Sequence, residues 1–73
     1  MDFETLKEII AEVLSIDEDK ITPDSSLADD LEADSLDAME INMAIEERCG
    51  KTIPDEKLGE IKTVNDILAL LED

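Results

Sequence analysis

Ser35 is the residue around which chemistry could be built. It stands in the run Asp34-Ser35-Leu36-Asp37, a hydroxyl between two carboxylates. A serine becomes a nucleophile when a neighbouring base takes its proton, most often a histidine, and the chain has no histidine. Ser–His and Cys–His dyads are therefore excluded. One cysteine, Cys49, without any histidine cannot build a structural zinc site. Asp and Glu number 22, so acid pairs arise by chance and a hydrolytic pair has no particular support. What distinguishes Ser35 is its expected place at the start of a helix, where free N–H groups and the helix dipole favour an attached phosphate. The bland alternative is that Asp34 and Ser35 are competing helix caps and nothing more.

Calcium is the other chemistry an Asp-rich chain suggests. A loop beginning at Asp17 would have Thr22 where an EF-hand needs Gly and Ala28 where it needs Glu. A loop beginning at Asp30 would have Ser35 and Ile41 at those positions. Weak, nonspecific cation binding is expected, and no dedicated metal site.

These residues have to be positioned by helices. Phe3, Leu6, Ile9, Ile10, Val13 and Leu14 recur at helical spacing, which predicts a helix over 3–14 with Asp2 as its N-cap. From Ser15 to Ala33 the period lapses into a long loop, with Ile16, Ile21, Leu27 and Leu31 expected to pin it to the core. A second helix is predicted from Ser35 to Arg48 or Cys49, with Asp34 as its N-cap, Asp37 in its first turn and Gly50 as its stop. Pro54 and Gly59 limit any helix in 51–62 to a turn or two. A last helix follows Thr63, with Asp66 in a capping-box arrangement and Val64, Ile67, Leu68 and Leu71 on its apolar face. The expected fold is all-α, with residues 1–73 forming one domain.

The second helix carries two apolar stripes. At about 100° per residue from Leu36, Met39 and Met43 fall near 300° and 340°, on the side of Leu36. Ala38, Ile41, Ile45 and Cys49 fall between about 140° and 220°. The latter stripe has no intervening acid and is expected to face the core. Leu36, Met39 and Met43 then form a strip among Glu40, Glu46 and Glu47, suited to transient docking because Met adapts to varied surfaces. The alternative is that Leu36 and Met39 pack under the long loop.

Composition narrows the partners. The 73 residues carry a formal net charge of −16. That excludes nucleic acid and anionic membrane surfaces, and favours basic proteins approached by electrostatic steering. A lone cysteine forms no internal disulfide. Met1-Asp2-Phe3-Glu4 lacks the marks of a signal peptide, and no stretch is long enough to span a membrane. A cytoplasmic, soluble monomer is expected.

The segment from Asp30 to Asp37 closely resembles the phosphopantetheine attachment site of acyl carrier proteins, whose centre is Asp34-Ser35-Leu36 here. Ser26-Leu27, Met39-Glu40, Met43-Ala44-Ile45-Glu46-Glu47, Ile53-Pro54-Asp55 and Lys62-Thr63-Val64 resemble family features in the right order, so the likeness covers nearly the whole chain. The resemblance implies a small four-helix bundle with a long loop between helices one and two and a short third helix. It implies 4′-phosphopantetheine, derived from coenzyme A, on the Ser35 hydroxyl, with Asp34 and Leu36 flanking it. The protein would be a non-catalytic carrier of acyl thioesters for fatty-acid or related polyketide and lipid synthesis.

The resemblance also implies partners. A phosphopantetheinyl transferase would load the arm, and acyl transferases and ketosynthases would dock on Asp37, Met39, Glu40, Met43, Glu46 and Glu47. Family members let the acyl chain slip between helices, and Ile41, Ile45, Cys49, Ile53 and Ile61 are the expected lining. Three residues depart from the family pattern: Glu32 where Gly is common, Asn42 for an apolar residue, and Cys49 for an aromatic one. An aminoacyl carrier of the D-alanyl type, or an unmodified acidic interaction or cation-binding protein, are the alternative readings.

Overall fold

A computed structural model describes residues 2–71. Its helices follow the local signals in the sequence. Helix α1 spans Phe3–Leu14, α2 Ser35–Cys49, α3 Asp55–Leu58 and α4 Val64–Leu71, and a single 3-10 turn covers Glu18–Lys20 in the long loop. The all-α bundle, the long first loop and the short third helix match the expectation.

Helix α1 begins where the Asp2 carboxylate accepts the Thr5 N–H at 2.9 Å. This bond holds the Asp2 carboxyl below its usual range. The helix ends as Ser15 turns into the left-handed region. Its stripe of Leu6, Ile9, Ile10 and Ala11 is buried and meets Ile41 and Ile45 of α2 in one core with Ile21, Leu27, Leu31, Ile53, Val64, Ile67 and Leu71. Fully burying each of the larger side chains contributes about 1.5–3 kcal/mol. Arg48 of α2 lies 3.7 Å from Glu8 and 3.9 Å from Glu12 of α1. These are exposed pairs at long range, so packing rather than charge joins the two helices.

The loop is fixed at both of its faces. Ile21, Leu27 and Leu31 enter the core and Ile16 is half-buried, as expected. Its backbone is also joined to the start of α4. Leu27 N–H donates to the Lys62 carbonyl, Val64 N–H to Ser25 and Asn65 N–H to Pro23, at 2.9, 3.2 and 2.9 Å. Ser25 is buried with its Oγ accepting the Thr22 N–H at 2.9 Å.

Helix α4 opens with the reciprocal bonds expected of Thr63 and Asp66. Asp66 Oδ2 accepts the N–H groups of Lys62 and Thr63, and Thr63 Oγ1 accepts the Asp66 N–H. The two N–H groups hold the Asp66 carboxyl below its usual range.

One core assignment is corrected. Cys49, expected on the core stripe of α2, is exposed. It is the last helical residue before Gly50 and lies about 40° further round than Ile45, so no neighbouring element covers it. Leu36, Met39 and Met43 are 68%, 52% and 62% exposed, so Leu36 and Met39 do not pack under the loop.

Candidate functional site

The first turn of α2 is built by two aspartates. Asp34 is the N-cap and its Oδ1 accepts the Asp37 N–H at 3.0 Å, while Asp37 Oδ2 accepts the Asp34 N–H at 3.2 Å. The cap therefore belongs to Asp34, and Ser35 is left as the first helical residue with its side chain exposed. Asp34 is exposed and Asp37 half-buried beside it. The helical pattern gives the N–H groups of Ser35 and Leu36 no acceptor within the helix.

The approach to this turn is held in shape. Glu32 has φ 56°, in the left-handed region. The next residue, Ala33, donates its N–H to the Leu27 carbonyl at 2.7 Å, which ties the end of the loop to a residue buried in the core. Glu32 stands where the resembled family commonly has glycine, and its backbone takes a conformation that glycine enters freely and glutamate does not.

Ser35 borders two open grooves. One, of about 500 Å³, passes Leu27, Ala33, Ala38, Leu58, Ile61 and Lys62. The other, of about 320 Å³, passes Ala38, Met39, Asp55, Leu58 and Gly59. Of the five residues expected to line an acyl space, Ile61 lies on the larger groove. Ile41, Ile45 and Ile53 are packed in the core, and Cys49 faces solvent. The grooves run instead along α3 and the loop, which the helical wheel of α2 does not address.

On the outer face of α2, the exposed strip of Leu36, Met39 and Met43 stands among Glu40, Glu46 and Glu47, all exposed. The arrangement lacks the means to activate the Ser35 hydroxyl. The carboxylates of Asp34 and Asp37 are engaged as caps, and the chain has no imidazole. It presents an exposed hydroxyl beside an acidic, partly apolar surface. Among the described residues, no cluster of three or more potential ligands is placed to hold a metal ion. No described helix is long and apolar enough to cross a membrane.

Sequence reasoning placed Ser35 at the start of α2 and the strip exposed on its outer face, where the structure has them, but missed three features. The mutual capping of Asp34 and Asp37 had a signal, the i, i+3 spacing of the capping box. The left-handed backbone at Glu32 had one only through the glycine common at that position in the resembled family. The third is a bond across the fold: the Asn42 carboxamide meets the backbone of Ile53, 11 residues on, with no signal in either local pattern.

Residues 4–71 match the family described as the phosphopantetheine attachment site. The chain is 51% identical to the acyl carrier protein of Petrotoga mobilis, over 97% of this chain and 84% of that protein. It is 47% identical to that of Thermosynechococcus vestitus, over 96% and 86% of the two chains. Against that of Clostridium perfringens the identity is 49%, over 97% and 93%.

Proposed function

The chain belongs to the acyl carrier proteins of the phosphopantetheine-attachment family, and we propose that Ser35 is the residue that bears its 4′-phosphopantetheine arm. The protein is a carrier and not an enzyme. It is loaded by a phosphopantetheinyl transferase and serves enzymes of fatty-acid synthesis. The observation that carries the assignment is the exposed Ser35 hydroxyl at the first position of α2, inside Asp34-Ser35-Leu36 and at the meeting of two grooves.

The residues around Ser35 fit a phosphodiester-linked arm. The unbonded N–H groups of the first turn favour an anion there, and Lys62 stands on the larger groove. Asp34 and Asp37 work against a second negative charge, so the site has no strong cradle for a free phosphate. A covalent bond to Ser35 makes such a cradle unnecessary. When attached, the arm supplies a thiol that holds the acyl group as a thioester, which explains a chain with no catalytic side chains of its own. Asp34 and Asp37 fix the first turn and so fix where the arm departs. Leu36 flanks it on the open side.

We read the outer face of α2 as the docking surface. Asp37, Glu40, Glu46 and Glu47 would meet basic patches on acyl transferases and ketosynthases, and Met39 and Met43 would fill apolar depressions between them. A net charge of −16 speeds such encounters and makes them salt-dependent. Ile41, Ile45 and Ile53 form the core wall behind the grooves, and Ile61 is the expected lining residue already at a groove. The exposed, unpaired thiol of Cys49 suits a reducing, cytoplasmic setting. Transfer of one arm from coenzyme A, lost on Ser35→Ala, tests the assignment.

A further inference from the structure

Asn42 lies on the face of α2 that carries Ser35. At about 100° per residue, Ser35, Ala38 and Asn42 fall within about 60° of one another. The chain around α3 runs along this face in the opposite direction to α2. Leu58 borders the grooves with Ser35 and Ala38, Asp55 borders one of them with Met39, and Ile53 meets Asn42.

The meeting is a clamp with two hydrogen bonds. Asn42 Nδ2 donates to the Ile53 carbonyl at 3.2 Å, and Asn42 Oδ1 accepts the Ile53 N–H at 2.8 Å. Asn42 is half-buried and Ile53 buried. The carboxamide thus closes the seam between α2 and the segment leading into α3, beyond the far end of the Ser35 grooves.

We propose that Asn42 determines which acyl chains this carrier shields, by closing the seam into which the grooves at Ser35 would otherwise extend. The inference rests on the attachment of the arm at Ser35. A tethered acyl chain gains by burying each methylene against Ala38 and Leu58. With the arm folded back so that its thioester lies at the groove mouth by Ser35, the run open to the chain as far as Asn42 is seven residues of helix, about 10 Å. Beyond it, the chain has to part Asn42 from Ile53. That leaves a carboxamide, an N–H and a carbonyl in a part-buried seam without protein partners, which disfavours entry more than the next methylene favours it. An apolar residue at position 42 makes no such bonds, and its contacts can be replaced by those of the chain itself. Short acyl groups are therefore shielded and the ends of long ones stay in solvent.

The test loads the full protein with hexanoyl and dodecanoyl arms and measures thioester lifetime in hydroxylamine, for the wild type and Asn42→Val. In the wild type, the hexanoyl and dodecanoyl thioesters should last about equally long, because only the first methylenes of either are buried. In Asn42→Val the dodecanoyl lifetime should rise severalfold above the hexanoyl one. A merely structural Asn42 would lower the melting temperature and leave the ratio of lifetimes unchanged, which overturns the proposal. Amide exchange at Ile53 in the wild type gives a readout that does not depend on the variant folding. It should be equally slow with either acyl group, and faster exchange with the dodecanoyl group overturns the proposal. Failure to gain an arm at Ser35 would instead overturn the attachment reading and this inference with it.

Discussion

Asp34 and Asp37 cap each other across the first turn of α2, each accepting the backbone N–H of the other, at 3.0 and 3.2 Å. Ser35 and Leu36 lie between them. Two like charges three residues apart, in a chain already strongly acidic, are retained in a geometry where each satisfies a donor that the helix end leaves free. Asp34→Ala should lower stability by about 1 kcal/mol in urea denaturation. Asp34→Asn keeps an acceptor oxygen and should lose far less. Equal losses in the two variants would mean that the charge of Asp34, not its hydrogen bond, holds the turn.

The left-handed backbone at Glu32 predicts a stabilising substitution. A non-glycine residue there carries a penalty of roughly 1–2 kcal/mol, against roughly 0.4–1 kcal/mol for the extra freedom glycine brings to the unfolded chain. Glu32→Gly should therefore raise stability by about 0.5–1 kcal/mol, read as a higher urea midpoint at unchanged slope. A lower midpoint would show that the Glu32 side chain makes an interaction worth more than the backbone strain.

Met43 separates docking from packing. Its side chain is 62% exposed on the strip with Leu36 and Met39. Met43→Lys should change stability by no more than about 0.5 kcal/mol, while weakening binding to a partner synthase tenfold or so, the equivalent of about 1.4 kcal/mol. A collapse of the melting temperature would place Met43 in the folded core. Unchanged binding would remove it from the docking surface.

Acid should loosen the start of α4. The N–H groups of Lys62 and Thr63 hold the Asp66 carboxyl below its usual range. A carboxyl whose folded value lies below its unfolded one contributes stability above the unfolded value, near 3.9. It loses that contribution as the pH falls through the folded value. Asp66→Ala should thus be less stable than the wild type at pH 7, by on the order of 1 kcal/mol, and the difference should shrink below about pH 4. A difference that stays constant down to pH 2 would assign the effect of the variant to packing.

Much of this fold is written in local signals. Asp2, Asp34 and the Thr63–Asp66 pair mark three helix starts, and Gly50 ends α2, because caps act within one turn of the chain. The bonds from Ser25 and Pro23 to α4 join residues some forty positions apart and leave no trace in either segment's pattern. Cys49 shows the limit of helical spacing. An angle says which residues share a face, but not whether a neighbour reaches the end of the helix to cover it. The grooves at Ser35 escaped for the same reason, since Leu58, Ile61 and Lys62 come from the segment whose periodicity Pro54 and Gly59 interrupt. Asn42 departs from an apolar pattern on α2 because its carboxamide bonds the backbone of Ile53, a partner that local spacing does not show.

The central claim is that Ser35 is the anchor of the arm. The apo-protein, incubated with coenzyme A and a phosphopantetheinyl transferase and then weighed by mass spectrometry, should gain the mass of one phosphopantetheinyl group. Ser35→Ala, with its helix cap intact at Asp34, should fold normally and gain nothing. No gain by the wild type with several transferases, or an equal gain by Ser35→Ala, would contradict the account.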